Sequence, residues 1–407
     1  MKLAATRRKN ALERVFSAHQ LKEIWALERN RFRSSCYGQD RLSGKQYDSE
    51  SAWRIPEIRG RRLKEGFRPH SLLAIARPKT DGGHRIICVP TVEDRLIQFS
   101  ILHEIREKLK VRGLLNHVSY GLTAHSGRTV QDARGRAAEL REAGQWVYKT
   151  DIQKFFDRIP RTALRSEVQR VVRDRSLHPV LEAFVEVEIG DGFDPDWKKI
   201  VDLAGIKKGE GVRQGMPLSP YFAGVILLKL DKDIEIRKYP VIRYVDDIIG
   251  FFPTRQECEN FDKYLRDKLN ELGLSLGQID AAGSKTRIYA PDEPADFLGM
   301  EMRFGKSGRC ELRVSERTIE AIEKNFAAMM EIDNLLQKKI TLATVGGRIE
   351  AMKRGYIAAY HGVSNMSDLK SRIKSISDPL FEAILEEIFG IDLARLSSKH
   401  RRFLAID

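Results

Sequence analysis

Apolar and polar positions divide the chain into helix-like and strand-like stretches. Residues 10–33 carry Leu12, Val15, Phe16, Leu21, Ile24, Trp25 and Leu27 at helical spacing, which predicts one amphipathic helix. Residues 34–50 are polar and bear glycine and serine, the composition of a loop. SLLAIARPKTDGGHRIICVP (71–90) reads as two strands joined at Gly82-Gly83. Helical patterns follow at 91–110, with Thr91 as N-cap, and at 129–144, ending at Gly144. QWVYKTDIQKFFDRIP is a short strand running into a turn. Further helices are expected at 161–174, 221–237 and 254–273, and from about 315 onward the pattern is helical. The whole predicts a mixed α/β body with a helical C-terminal subdomain and a boundary near 310.

One stretch breaks the pattern. VIRYVDDIIGFF (241–252) sets Asp246 and Asp247 between two apolar, β-prone runs. Aspartate is a common turn residue, so a plain hairpin is one reading. Two-residue hairpin turns prefer Asn-Gly or Asp-Gly, because their central residues need positive φ, and VDDI has no glycine. Adjacent carboxylates also repel each other, and a divalent cation between them removes the repulsion. A further acid, Asp151, stands where the strand of VYKTD ends, a place that also suits a helix N-cap. Asp151 lies 95 positions before Asp246. If the two strands are neighbours in one sheet, three carboxylates meet at its edge. Such a cluster holds two Mg²⁺ roughly 3.5–4 Å apart for an in-line phosphoryl transfer. Hard oxygen ligands and a phosphate-bearing substrate select Mg²⁺, with Mn²⁺ as the alternative.

Composition adds a partner. The 407 residues are 42% hydrophobic and 31% charged, enough for two or three packed subdomains with a sizeable core. The net charge of +14 predicts a polyanion, most simply nucleic acid, although a basic enzyme of another kind would share it. Residues 1–68 hold 17 Lys and Arg against 8 Asp and Glu, so most of the surplus lies there, as in a phosphate-binding arm or face. The four cysteines are scattered, which speaks against a disulfide framework or a zinc site and suits a reducing cytosol. MKLAATRRKN lacks the apolar region of a signal peptide, and the longest apolar run, AGVILL at 223–228, is too short to span a bilayer. A cytoplasmic location without membrane partners is expected.

Taken in order, DIQKFFD, GVRQGMPLSP and YVDD, with a helix between each, resemble the palm of reverse transcriptases. RPKTDGGHRIICVPTVEDRLIQ resembles the fingers of bacterial retroelement enzymes. GLSLGQIDAAGSKTRIY followed by FLGMEM is similar to the last two palm motifs. The resemblance covers about residues 70–305. It implies an α+β right-hand polymerase: a basic helical extension at 1–68, fingers and palm with an antiparallel sheet at 69–310, and a helical thumb at 311–407. By the same resemblance Asp151 and Asp246 bind two metal ions and Asp247 assists. One ion lowers the pKa of the primer 3′-OH and the other steadies the departing pyrophosphate. Phe156 is implied as the steric gate that excludes a ribose 2′-OH, where an ordinary core phenylalanine is the plain reading. Gln214 and Gly215 begin the loop beneath the nascent base pair. Lys79 and Arg85 fold over the incoming triphosphate, and Lys285 matches the lysine that protonates pyrophosphate. Arg95 and Gln98 touch template or brace the palm. In the tail, Arg348, Lys353 and Arg354 are implied as a thumb gripping duplex backbone, or else as a solvated helix face.

Departures from the family patterns narrow the subgroup. Retron enzymes show NAxxH and VTG elements, where this chain has QDARGRA and LRVSER. Diversity-generating enzymes end the Gln-Gly motif in SQ, here Ser219-Pro220. A mobile-intron enzyme is expected to carry a DNA-binding or endonuclease extension beyond such a tail, so intron mobility is not the expectation here. The chain most resembles stand-alone, defence-associated reverse transcriptases. That implies a dedicated non-coding RNA as template, a cDNA product, dNTPs, and a partner protein of the same operon or self-association. Retron-like, mobile-intron and template-independent polymerases remain open. A non-catalytic RNA-binding scaffold would be expected to have lost Asp151 or YVDD, and both are present.

Overall fold

The computed structural model describes residues 9–78, 84–108, 116–121, 128–191, 197–305, 308–338, 340–390, 395 and 397–399. The chain forms two compact units. One takes in residues 1–133 and 148–288, the other residues 134–147 and 289–407. The second stretch of the second unit begins at Tyr289, and the basic stretch 1–68 belongs to the first unit.

The first unit begins with helices. The single helix expected at 10–33 is two, Ala11–Val15 and Ala18–Arg33, because Ser17 accepts from Gln20 N and starts a new N-terminus. A third helix, Gly44–Leu63, opens inside the stretch expected to be loop. A capping box of Ser43 and Gln46 satisfies the orphan amides there, which offsets its polar composition. Trp25 stacks on Phe32 at 4.8 Å and packs against Tyr47 at 5.0 Å, so these helices share one aromatic seam. Arg62, buried at the end of the third helix, donates to Glu93 Oε1 at 2.9 Å and Asp94 Oδ1 at 2.7 Å. This ties the basic layer to the helix Val92–His103, capped as expected by Thr91.

Strands β1 (Leu73–Pro78) and β2 (His84–Val89) pair antiparallel in the register Leu73↔Val89 to Pro78↔His84. Their connecting turn, with Lys79, lies outside the described residues. The main sheet contains β3 (Ser119–Tyr120), β4 (Trp146–Asp151), β5 (Val241–Tyr244), β6 (Asp247–Phe252) and β7 (Arg287–Tyr289), in the order β3-β5-β6-β4-β7. β5 and β6 form an antiparallel hairpin. The five apolar positions of β6 are all buried, as is most of the helix Ser219–Ile236. The helix Arg255–Asn270 is amphipathic and buries Cys258, Phe261, Leu265 and Leu269.

The second unit has an antiparallel sheet, β10 (Cys310–Arg313), β9 (Met300–Phe304) and β8 (Ala295–Phe297), followed by helices. Ile319, Ile322, Phe326, Val345, Ile349, Leu369 and Ile373 form its core. Arg134 Nη1 and Arg141 Nη1 donate to the carbonyls of Ala359 and Met302 at 2.9 and 2.6 Å. Helices and sheets together make the α+β class that was expected. Among the described residues no helix is long and apolar enough to cross a membrane.

Candidate active site

The sheet order brings the acids together. β4 and β6 are neighbours, so Asp151 at the end of β4 and Asp247 at the start of β6 share one edge. The Ile152 amide donates to the Asp246 carbonyl at 3.2 Å and joins the two segments just beyond the strands. Asp246 sits in the two-residue turn between the paired residues Tyr244 and Asp247. The other turn residue, Val245, has φ +58°, the left-handed region that a β-branched residue rarely adopts. A hairpin without glycine is built here at the expense of backbone strain, on the order of 1–3 kcal/mol.

The charges are unbalanced. Burial, then Asp151 and Asp247, push the Asp246 carboxyl up to about 6. Burial also raises Asp247, opposed chiefly by Lys149. The Lys285 ammonium lies 2.9 Å from Asp151 Oδ2. Its pKa is raised, the Asp151 bond and the surrounding carboxylates outweighing burial, which is the largest single influence and acts to lower it. The donors are hard oxygens in a half-buried, strongly negative site, which fits a divalent cation such as Mg²⁺. As placed, they do not close a shell unaided: among the described residues no three His, Cys, Asp or Glu side chains converge into one. Mg²⁺ at polymerase sites is held by one or two carboxylates plus substrate phosphates, so two acids and a triphosphate suffice.

Beside the acids lies a cavity of about 660 Å³. Arg85, Arg95, Phe156, Gln214 and Gly215 all line it, together with Tyr244 of the acidic hairpin. Phe155 is 2% exposed, so it is the core residue, and Phe156 is the ring left at the cavity wall. The Val212 amide donates to the Phe156 carbonyl at 2.7 Å, and the Cys88 amide donates to the Gln214 carbonyl at 2.7 Å. The Gln-Gly loop is thereby fastened to both Phe156 and β2. Gly215 has φ +106°, and a Cβ there would stand 2.6 Å from the Cys88 carbonyl oxygen, so only glycine fits.

The cavity is basic. Arg31, Arg85, Arg95, Arg106 and Arg128 line it, with no carboxylate among its described lining residues. Arg31, Arg106 and Arg128 were not singled out in the sequence. Arg31 comes from the N-terminal layer, and only packing places it here. Burial lowers the pKa of Arg95 and Arg106, which still leaves a guanidinium charged at neutral pH. Arg77 was also missed. It pairs with Arg85 across the β1–β2 ladder. Like charges directly opposite each other destabilise a hairpin unless an anion sits between them, and the spacing of two arginines was the available signal.

Other residues are placed differently. Gln98 is 0% exposed and accepts from the Leu218 amide at 3.2 Å, so it braces the start of the helix Ser219–Ile236 and does not face a template. In the second unit Arg348 and Arg354 are exposed on the helix Leu342–Ala359. Lys353 is held by Asp378 at 2.8 Å and by Glu350 at 3.7 Å, an ion-paired position rather than an open phosphate contact.

Residues 77–302, more than half of the chain, match the family model described as "Reverse transcriptase (RNA-dependent DNA polymerase)". The chain is 21% identical over 288 residues to the "Putative COX1/OXI3 intron 1 protein" of Saccharomyces cerevisiae (strain ATCC 204508 / S288c), covering 57% of this chain and 32% of that protein. It is 23% identical over 338 residues to "Protein YkfC" of Escherichia coli (strain K12), covering 72% of this chain and 82% of that one. Among solved structures, a chain of the "Partial Cas6-RT-Cas1--Cas2 complex" aligns over 67% of this chain and 44% of its own length, at 19% identity and a TM-score of 0.36. The chain thus spans about a third of the intron protein's length and under half of that structural relative. Strand β2, Phe156, the Gln-Gly loop and the aspartate hairpin fall inside the matched span, and the chain belongs to the reverse transcriptase family.

Proposed function

We propose that this chain is an RNA-directed DNA polymerase that copies an associated non-coding RNA into cDNA in anti-phage defence. The observation that carries the polymerase reading is the placing of Asp151, Asp246 and Asp247 at one sheet edge, next to an arginine-lined cavity walled by Phe156 and Gly215. Divalent cations held by Asp151 and Asp246, with Asp247 adjacent, would supply Lewis acidity to the primer 3′-OH and to the leaving pyrophosphate. Arg85, with Arg77 opposite, binds triphosphate oxygens through its guanidinium fork. Phe156 lies against the sugar and leaves no room for a 2′-OH. Gly215 lets the loop backbone come close beneath the base pair. Lys285 holds a proton beside Asp151, within reach of a product phosphate. Arg31, Arg95, Arg106 and Arg128 neutralise template phosphates along the cavity. The defence role and the dedicated RNA rest on the departures from the retron and diversity-generating motifs.

The test is sequencing of all RNA and DNA that copurifies from cells with the wild type and with Asp246→Ala. One RNA bound by both, with complementary DNA only in the wild type, is the expected result and names the template. DNA without a matching RNA would replace this reading with untemplated synthesis. RNA without DNA from either protein would turn it into a scaffold.

A further inference from the structure

β5 carries a charge where a sheet core has no need of one. Val241 and Ile242 are buried, and the Arg243 side chain is 0% exposed. Asp231 of the helix Ser219–Ile236 is its partner, also 0% exposed. Arg243 Nε donates to Asp231 Oδ1 at 2.7 Å and Nη2 donates to Oδ2 at 2.5 Å. An ion pair taken wholly out of water gives little or no net stability over apolar residues of the same volume. Stability is therefore a poor account of it. The remaining donors give a better one. Arg243 Nη2 also donates to Ser119 Oγ of β3 at 2.8 Å, and Nη1 donates to the Val245 carbonyl at 2.7 Å.

That carbonyl belongs to the strained residue of the aspartate turn. Val245 has φ +58° without being glycine, and such a conformation persists only where its surroundings over-determine it. The Val245 carbonyl is half of the peptide plane whose other half is the Asp246 amide. Fixing its direction fixes the N–Cα bond of Asp246, and the Ile152 amide, which donates to the Asp246 carbonyl at 3.2 Å, holds the next peptide plane, so that the two together set the direction of the Cα–Cβ bond. The guanidinium is a planar fork, and a carboxylate gripping two of its nitrogens leaves the third aimed along one line. We infer that Arg243, oriented by Asp231, is a positioning residue. It clamps the strained Val245 turn from beneath and thereby sets the place of the Asp246 carboxylate.

The inference rests on the polymerase reading, and an inactive wild type in a primer-extension assay would count against that reading rather than this one. The first variant is the double change Arg243→Met with Asp231→Leu, which removes both charges at similar volume and leaves neither buried alone. Template–primer affinity, measured by fluorescence anisotropy without metal, should stay within about threefold. The kcat for single-nucleotide addition should fall on the order of 100-fold, the usual consequence of a 1 Å misplacement, with the dNTP KM little changed. Divalent-cation binding to the free protein, measured by calorimetry, should weaken about tenfold, since Mg²⁺ demands near-ideal geometry. Arg243→Lys keeps a charge beside Asp231 without the fork, and should show the same loss of kcat in a chain of near wild-type stability. Adding Val245→Gly to the double variant should restore kcat about tenfold, because glycine adopts positive φ without strain. A core-packing role would give no such rescue. Full kcat in Arg243→Lys, or a loss that Val245→Gly leaves untouched, would overturn the inference.

Discussion

At the scale of single residues, Asp246 concentrates the conflict on which the site is built. Its ordinary pKa of 3.8 is raised to about 6 in the folded protein by burial, Asp151 and Asp247. Between those two values the folded chain holds a proton that the unfolded chain has released. Stability of the metal-free protein from this group is therefore greatest below pH 3.8 and is lost as pH rises through about 6. Asp246→Asn should raise the metal-free unfolding free energy at pH 8 by about 2 kcal/mol while abolishing nucleotide addition. Urea melts at pH 5 and pH 8 check the sign: the variant's advantage should shrink at pH 5, and also when saturating Mg²⁺ is added to both proteins. Phe156 and Gly215 make separate demands. Phe156→Ala should raise ribonucleotide incorporation relative to dNTP, read by single-nucleotide competition; unchanged discrimination would remove the gate assignment. Gly215→Ala places a methyl group on the Cys88 carbonyl and should lower nucleotide addition by tenfold or more, on the order of 1–3 kcal/mol of strain.

At the scale of elements, the basic N-terminal helices are part of the first unit and not a loose arm. Arg62 is the pin, and its guanidinium meets both Glu93 and Asp94 at the start of the helix Val92–His103. Asp94 also accepts from the His70 backbone amide at 2.9 Å. Arg62→Met removes the cation and leaves two buried carboxylates short of a partner. The expected loss is about 3–5 kcal/mol, measurable as a shift in the urea midpoint with the slope unchanged. The helix Val92–His103 also marks how far local pattern reaches. Arg95 and Gln98 stand three residues apart, both polar and both expected either to touch template or to brace the palm. One faces the cavity and the other is sealed beneath Leu218. Periodicity places both on neighbouring positions of a helix, and only the elements packed against it decide which of them meets solvent.

At the scale of the whole molecule, a net charge of +14 and five arginines around one cavity predict that the proposed binding to single-stranded RNA is strongly salt-dependent. If those five neutralise phosphates, log Kd against log salt should have a slope of about 3.5, from roughly 0.7 per phosphate contact. Replacing Arg31 or Arg106 by Ala should reduce the slope by about 0.7 without altering sequence preference. A slope near zero would remove the cavity from the template path. Filter binding between 50 and 300 mM salt, on the order of the range where such effects are large, suffices.

The amino-acid sequence by itself determined the elements whose information is local. Apolar, β-prone runs marked β1, β2, β4 and the β5–β6 pair, the Thr91 cap marked a helix start, and the order of the motifs marked the acids. These follow from neighbours along the chain, since periodicity and capping act within a few residues. Tertiary structure decided the rest. It set β4 beside β6 so that Asp151 meets Asp246 across 95 positions. It drew the second unit from 134–147 and 289–407, two stretches far apart along the chain. It gave Lys353 to Asp378 and Gln98 to Leu218, and it brought Arg31 to the cavity wall. Arg243 is the sharpest case. Its charge in a buried strand is visible in VIRYVDD, but its partner lies on the helix Ser219–Ile236 and its Nη1 reaches the carbonyl of a residue whose strain no propensity would forecast. Polar side chains find partners through packing, and the free energy of a buried charge depends on what the fold places within about 4 Å of it.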